Sequence, residues 1–307
     1  MAYNLVVLVK QVPDTKRITG EAMRDDGTVN RSALPAVFNP EDLHALETAL
    51  RLREQYGGRV TVLTMGPPQA CEVLRDALER GADDAILLTD RRAAASDTLA
   101  TSYILAQAVR RLAADGPVDM VVCGRQAIDG DTAQVPPQTA EKLGWPQVTY
   151  IEEIEEVAGG LVRARRNTGE GFERVECPLP CLLTVTDRGP EPRPASAKRM
   201  MAIKKRRAPA EVRSAVRAER PDALPDDVAT EVRRRMADLD ARGRTITQWT
   251  LDDIAADLAW CGRDGSPTKV KRIQSVVLAG TGFKKVEPTE DAVTGMVHEL
   301  IEDHTIG

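Results

Sequence analysis

No stretch of this 307-residue sequence approaches eighteen consecutive apolar residues, so it holds no candidate transmembrane helix. Aromatic residues make up only 3%, too few for the stacking platforms of single-strand nucleic-acid binders. The net charge of −5 gives no reason to expect nucleic acid or an anionic membrane as partner. Histidine occurs three times, at 44, 298 and 304, and none stands beside a plausible nucleophile. The five cysteines, an odd number scattered along a long chain, point to a reducing, cytoplasmic compartment. Two of them, Cys177 and Cys181 in CPLPC, match no common zinc spacing, so no metal is expected. The N-terminal MAYNLVVLVK has no basic region ahead of its short apolar core and no small-residue cleavage site after it. It reads as a β-strand rather than a leader.

What is present is a strict alternation. NLVVLV (4–9), RVTVLTMG (59–66), DAILLTD (84–90) and VDMVVCG (118–124) read as buried strands. Between and after them stand helical patterns over 40–56, 68–82, 96–114 and 131–144, the first opened by Asn39-Pro40 and the third by Ser96-Asp97. Such alternation predicts βαβ units with right-handed crossovers and a mostly parallel sheet covered on both faces. After residue 145 the runs shorten (VTYIEEIEEV, GLVRARRN, FERVEC, CLLTVTD) and turn residues separate them, which predicts antiparallel strands. From Pro190 the chain is basic and proline-interrupted, then charged and helical over 211–243, with a last helix over 290–304. The expected architecture is α/β: a Rossmann-like three-layer sandwich with a mostly parallel sheet, short antiparallel strands and a C-terminal arm. Its parts are a nucleotide-binding domain over 1–190 and, over 191–307, an arm and helical extension that pack on a partner.

Ligands of open parallel sheets bind outside the carboxyl ends of the strands. Here those ends read VKQVPDT, TMGPPQ, TDRRAAASDT and CGRQAIDGDTAQ, with neither a dinucleotide fingerprint nor a P-loop. Gly130-Asp131-Thr132-Ala133 is expected to open a helix whose free N–H groups favour an anion, with Thr132 and Gln134 as further donors. The same residues also fit an ordinary Asp cap in a βα loop. Residue chemistry therefore leaves a phosphate-bearing small molecule and no acid, base or nucleophile.

A resemblance goes further. VKQVPDT, NPEDLHALETALRL, MGPPQ, CGRQAIDGDTAQVPPQTAEKLGWPQVTY and VECPLPCLLTVTDRGPEPRPASAKRMMAIKK, in that order over residues 1–207, resemble the beta (small) subunit of electron-transfer flavoproteins, bacterial type. GSPTKV (265–270) and the acidic last helix resemble the C-terminal part of bacterial members. The resemblance implies an electron carrier rather than a catalyst with its own substrate. The beta subunit of this family forms a heterodimer with an alpha subunit that carries the electron-transferring FAD, and itself holds AMP or, in bifurcating members, a second FAD. AIDGDTAQ is closer to the FAD-containing bacterial loop, so FAD is expected and AMP is the alternative.

Carried over residue by residue, the nucleotide would contact Leu8, the turn Asn39, Pro40, Glu41 and Asp42, and Met65. It would also contact Ala127, Ile128, Asp129, Gly130, Asp131, Thr132, Ala133, Gln134, Val135, Pro136, Pro137 and Gln138. The implied redox partners are an acyl-CoA or other flavin dehydrogenase and a quinone oxidoreductase or ferredoxin-type acceptor. The family's partner-recognition loop falls on Asp187 to Ala195, with Gly189 where the mammalian type has a leucine. A rival reading is a stand-alone, universal-stress-like nucleotide sensor, which has no use for the chain beyond residue 150.

Overall fold

The computed structural model describes residues 2–14, 35–269 and 285–302. Thr15 of VKQVPDT, Val270 of GSPTKV, and Asp303 and His304 of the last helical pattern lie outside them. The first half alternates as its sequence predicts: β1 (Tyr3–Leu8), a small hairpin of β2 (Gln11–Pro13) and β3 (Ala36–Phe38), α1 (Pro40–Tyr56), β4 (Gly58–Met65), α2 (Cys71–Arg80), β5 (Asp84–Leu88), α3 (Thr98–Asp115), β6 (Met120–Gly124) and α4 (Val135–Leu143). Then come β7 (Gln147–Ala158), β8 (Leu161–Asn167), β9 (Phe172–Pro178), β10 (Cys181–Val185), α5 (Ala197–Ile203), α6 (Pro209–Glu219), α7 (Pro225–Ala241), β11 (Thr247–Trp249) and α8 (Glu290–Glu302).

Nine strands form one sheet in the order β11-β5-β4-β1-β6-β10-β7-β8-β9. Pairing is parallel from β11 through β7 and antiparallel for β7-β8 and β8-β9. Successive residues of a strand point to opposite faces, and β1 shows the result. Leu5 and Val7 join a core with Leu46 and Leu50 of α1 and Leu74 and Leu78 of α2. Val6 and Leu8 join the core beneath Ile104 and Val109 of α3 and Ala140 of α4. Helices on both faces make the three layers that the strand runs predict. Among the described residues no helix is long and apolar enough to cross a membrane.

Two local expectations are corrected. CLLTV does not continue the antiparallel meander: β10 inserts in parallel between β6 and β7. All five of its residues are buried, and a run without polar alternation needs cover on both faces, which only the middle of the sheet offers. The helix expected from Asp131 begins at Val135 instead. Pro136 and Pro137 are the reason, since proline is accepted only in the first turn, where its missing N–H costs nothing.

Beyond residue 190 the chain keeps touching this body. Arg193 donates to Glu47 at 2.7 Å and pairs with Glu54, and Ser196 N donates to Glu79 O at 3.1 Å. Helices α6 and α7 form a hairpin with its own small cluster of Val212, Val216, Val228 and Val232. The segment after it returns to the sheet, where β11 pairs with β5 and Leu251, Ile254 and Cys261 enter the α3/α4-side core.

Candidate functional site

The carboxyl ends of β1, β4 and β6 meet the N-termini of α1, α3 and α4, and the loop Arg125–Gln134 crosses this edge. Asn39 and Pro40 occupy the cap and first position of α1, but Asn39 makes no capping hydrogen bond. Its side chain is turned to the loop, where Nδ2 donates to Gln126 O at 2.8 Å and Oδ1 accepts from Ile128 N at 3.1 Å. Pro40 only starts the helix. Glu41 accepts from Arg125 at 2.7 Å and from Gln126 N at 3.0 Å, so it clamps the loop's first residues.

Asp42 is fully enclosed and joins three elements. It accepts from Lys10 N at 2.8 Å and from Gly124 N at 3.0 Å, which ties the exits of β1 and β6 to α1. Burial pushes its carboxyl up to about 7, against the opposing pull of Asn39 and those two backbone donors. Position 124 has no room for a side chain, because a Cβ there would collide with Asp42 Oδ1 and the α1 backbone.

Leu8 and Met65 pack in the same apolar cluster as Val135, beneath the loop. Ala127 O accepts from both Gly130 N and Asp131 N, closing a turn over 128–130. The two acids of the loop are both partnered. Lys10 Nζ lies 2.7 Å from Asp129, and Gln126 Nε2 donates to Asp131 at 2.5 Å. Asp131 and Ala133 both take left-handed backbone, with φ of 52° each. Aspartate tolerates this, while for alanine it costs roughly 1–2 kcal/mol. Gln134 follows in right-handed backbone, and such alternation turns successive N–H groups into a small concave nest.

The N–H groups of Thr132, Ala133, Gln134 and Val135 have no acceptor among the described residues, and neither has the exposed hydroxyl of Thr132. Gln134 Oε1 accepts from Thr98 at 2.9 Å, which leaves its Nε2 free to donate. Gln138 is held to Ser102 at 3.4 Å, and Pro136 is buried. Helix α4 supplies fewer donors than a first turn ordinarily would, since Pro136 and Pro137 carry no N–H. The donor set therefore lies mostly in the loop ahead of the helix.

All the sequence-predicted residues thus lie along one edge. The sequence reading missed Lys10, Thr98 and Arg125, although each stands in a strand-end segment quoted for other reasons. Their role depends on chain crossings that no spacing displays.

The family described as "Electron transfer flavoprotein domain" matches residues 26–211. The chain belongs to the electron-transfer flavoprotein family. Relatives that match it over nearly the whole length include proteins named as beta subunits, FixA and CarD. It is 39% identical to "Electron transfer flavoprotein subunit beta" of Clostridium acetobutylicum, over 99% of this chain and all of that one. It is 39% identical to "Protein FixA" of Bradyrhizobium diazoefficiens, over 96% of this chain and 90% of that one. It is also 36% identical to "Caffeyl-CoA reductase-Etf complex subunit CarD" of Acetobacterium woodii, over 98% and 99%. These matches run through the region beyond residue 150, for which a stand-alone sensor has no use.

Within this electron-transfer flavoprotein family member, Gly189 sits where any side chain would collide with Val185. The Pro190 carbonyl lies 3.0 Å from His44 Nδ1, which makes that nitrogen the donor. The stretch from Gly189 to Arg193 is therefore drawn onto α1 rather than carrying a projecting apolar anchor.

Proposed function

We propose that this chain is the cytoplasmic beta subunit of a heterodimeric electron-transfer flavoprotein and holds FAD, with AMP as the alternative, along the edge of β1, β4 and β6. The observation that carries the reading is the run of four N–H groups from Thr132 to Val135 without an acceptor among the described residues, joined by the Thr132 hydroxyl and Gln134 Nε2. That donor set fits the phosphates of a nucleotide, and backbone amides carry the positive end of the site without a lysine or arginine between Gln126 and Gln134. Lys10 and Gln126 hold the carboxylates of Asp129 and Asp131, so the loop's acids do not stand bare beside a phosphate. Leu8, Met65 and Val135 supply the apolar floor. Flavin, when bound, supplies the electron-carrying chemistry, and the chain supplies binding, orientation and charge.

The resemblance of AIDGDTAQ to the bacterial loop favours FAD over AMP and a bifurcating type of transfer. The alpha subunit would carry the other flavin. Electrons would pass from an acyl-CoA or other flavin dehydrogenase to a quinone oxidoreductase or ferredoxin-type acceptor. Residues 191–307 would form the arm toward the alpha subunit, a role supported by the exposed Val293, Val297 and Ile301 of α8. Denaturing the purified heterodimer and separating the released nucleotides tests the reading. About two FAD per dimer are expected, one site per subunit. One FAD with one AMP would replace the cofactor and keep the role. One FAD and no second nucleotide would overturn the site.

A further inference from the structure

Tyr150 lies in β7, two strands from β6, and has left-handed backbone with φ of 60°. An aromatic residue in a strand rarely adopts it. The pairing of β7 with β10 slips at this point, between the partners of Leu183 and Val185, and Tyr150 N donates to Thr184 Oγ1 at 3.1 Å instead of continuing the ladder. Irregularities of this kind turn a side chain out of the direction the strand would give it. Here the residue is 39% exposed, and the Arg125 guanidinium carbon lies over its ring, 5.5 Å from the ring centre. Arg125 continues to Glu41 at 2.7 Å, and Glu41 accepts from Gln126 N at 3.0 Å, the entry to the loop proposed to hold the nucleotide. Backbone strain in folded proteins gathers at positions where a side-chain direction matters more than local stability.

We infer that Tyr150 is a positioning residue for the nucleotide loop: its ring seats Arg125 on Glu41, and that pair sets the start of the segment Gln126–Gln134. Arg125 has two oxygens to grip on Glu41 and a flat, weakly hydrated face that suits the tyrosine ring. Without the ring Arg125 gains freedom, Glu41 holds Gln126 N less firmly, and the unpaired amides lose part of their preorganisation. The strained backbone is the cost of placing the ring there.

The inference rests on the proposed nucleotide site, and the test separates the two. Tyr150→Phe, Tyr150→Ala and Tyr150→Gly are made in the heterodimer, stripped of the beta-site nucleotide, and each is titrated with FAD. Thermal unfolding is followed without nucleotide. Alanine and glycine lose the ring equally, but only glycine accepts positive φ freely. Tyr150→Gly should therefore melt about 2–4 °C above Tyr150→Ala. Both should bind FAD about three- to tenfold more weakly than wild type, by the loss of one cation–ring contact and its ordering. Tyr150→Phe keeps the ring and loses only the hydroxyl that also meets Arg125, so it should lose less affinity than Tyr150→Ala. Affinity that follows melting temperature, with glycine recovering what alanine loses, would overturn the positioning role. So would an alanine variant that binds normally while wild type binds well. A wild-type dimer that takes up neither FAD nor AMP in the beta subunit would remove the nucleotide site and this role with it.

Discussion

At the scale of single residues, the proposed nucleotide site turns on Thr132. It stands outside α4, exposed, between two left-handed residues, and its hydroxyl has no acceptor among the described residues. A threonine in a helical first turn can bond a backbone carbonyl; under the proposed function this hydroxyl donates to the nucleotide instead. A hydrogen bond to a charged group contributes about 1.5–3 kcal/mol, so Thr132→Ala should weaken binding of the beta-site nucleotide roughly ten- to hundredfold. Its loss of thermal stability should come through the ligand and recover on adding excess nucleotide. Equal dissociation constants for wild-type and variant heterodimers, measured by titration, would place the anion elsewhere. Ala133 beside it pays a conformational cost that its own side chain does not repay, and only the path of the loop explains its backbone.

At the scale of elements, α8 is the segment whose surface asks for a partner. Val293, Val297 and Ile301 follow one another at four-residue spacing and so share one helix face. They are 45%, 38% and 48% exposed, whereas comparable residues of α1 and α3 are buried against the sheet. Burying one such side chain contributes about 1.5–3 kcal/mol. Under the proposed heterodimer, Val297→Asp should weaken association with the alpha subunit about ten- to hundredfold, as seen by analytical ultracentrifugation. The melting temperature of the isolated chain should stay unchanged, because this face does not build its core. A variant that destabilises the isolated chain while leaving dimerisation intact would mean that α8 packs on its own chain instead.

On the scale of the whole molecule, Asp42 links the fold to the site. It gathers the exits of β1 and β6 at the start of α1, three of the elements whose ends frame the loop proposed to hold the nucleotide. Its folded pKa of about 7 lies above its ordinary value of 3.8, so the folded state holds the proton more tightly than the unfolded state does. The stability that follows is fully present below about pH 4 and is lost as pH rises through about 7, by as much as about 1.4 kcal/mol per unit within that window. Asp42→Asn keeps a neutral amide at every pH and gives up one acceptor, a loss that does not vary with pH. In urea unfolding at pH 5 and pH 8, the stability of the variant relative to wild type should improve at the higher pH. A constant difference would mean that Asp42 stays ionised throughout, held by its backbone donors.

The sequence by itself determined the class of fold. Continuous Val, Leu and Ile runs with helices between them can bury their surface only in a covered parallel sheet, and the structure follows them from β1 to α4. It also singled out residues that the fold gathers along one edge and, through the segments that resemble electron-transfer flavoproteins, which family the chain belongs to. Even the late start of α4 was written in Pro136-Pro137, though the glycine and acids ahead of it drew the reading to Asp131. Only the tertiary structure decided that β10 enters the middle of the sheet and that β11 closes its far edge, because strand order depends on long-range burial rather than on local pattern. It alone turned Asn39 from a cap into a tether, brought Lys10 to Asp129 across 119 positions of chain, and set Tyr150 under Arg125. Periodicity reports which face of an element is apolar. It carries nothing about which distant side chain will meet a given charge, since that meeting is settled by how the strands are ordered and how their ends are cut.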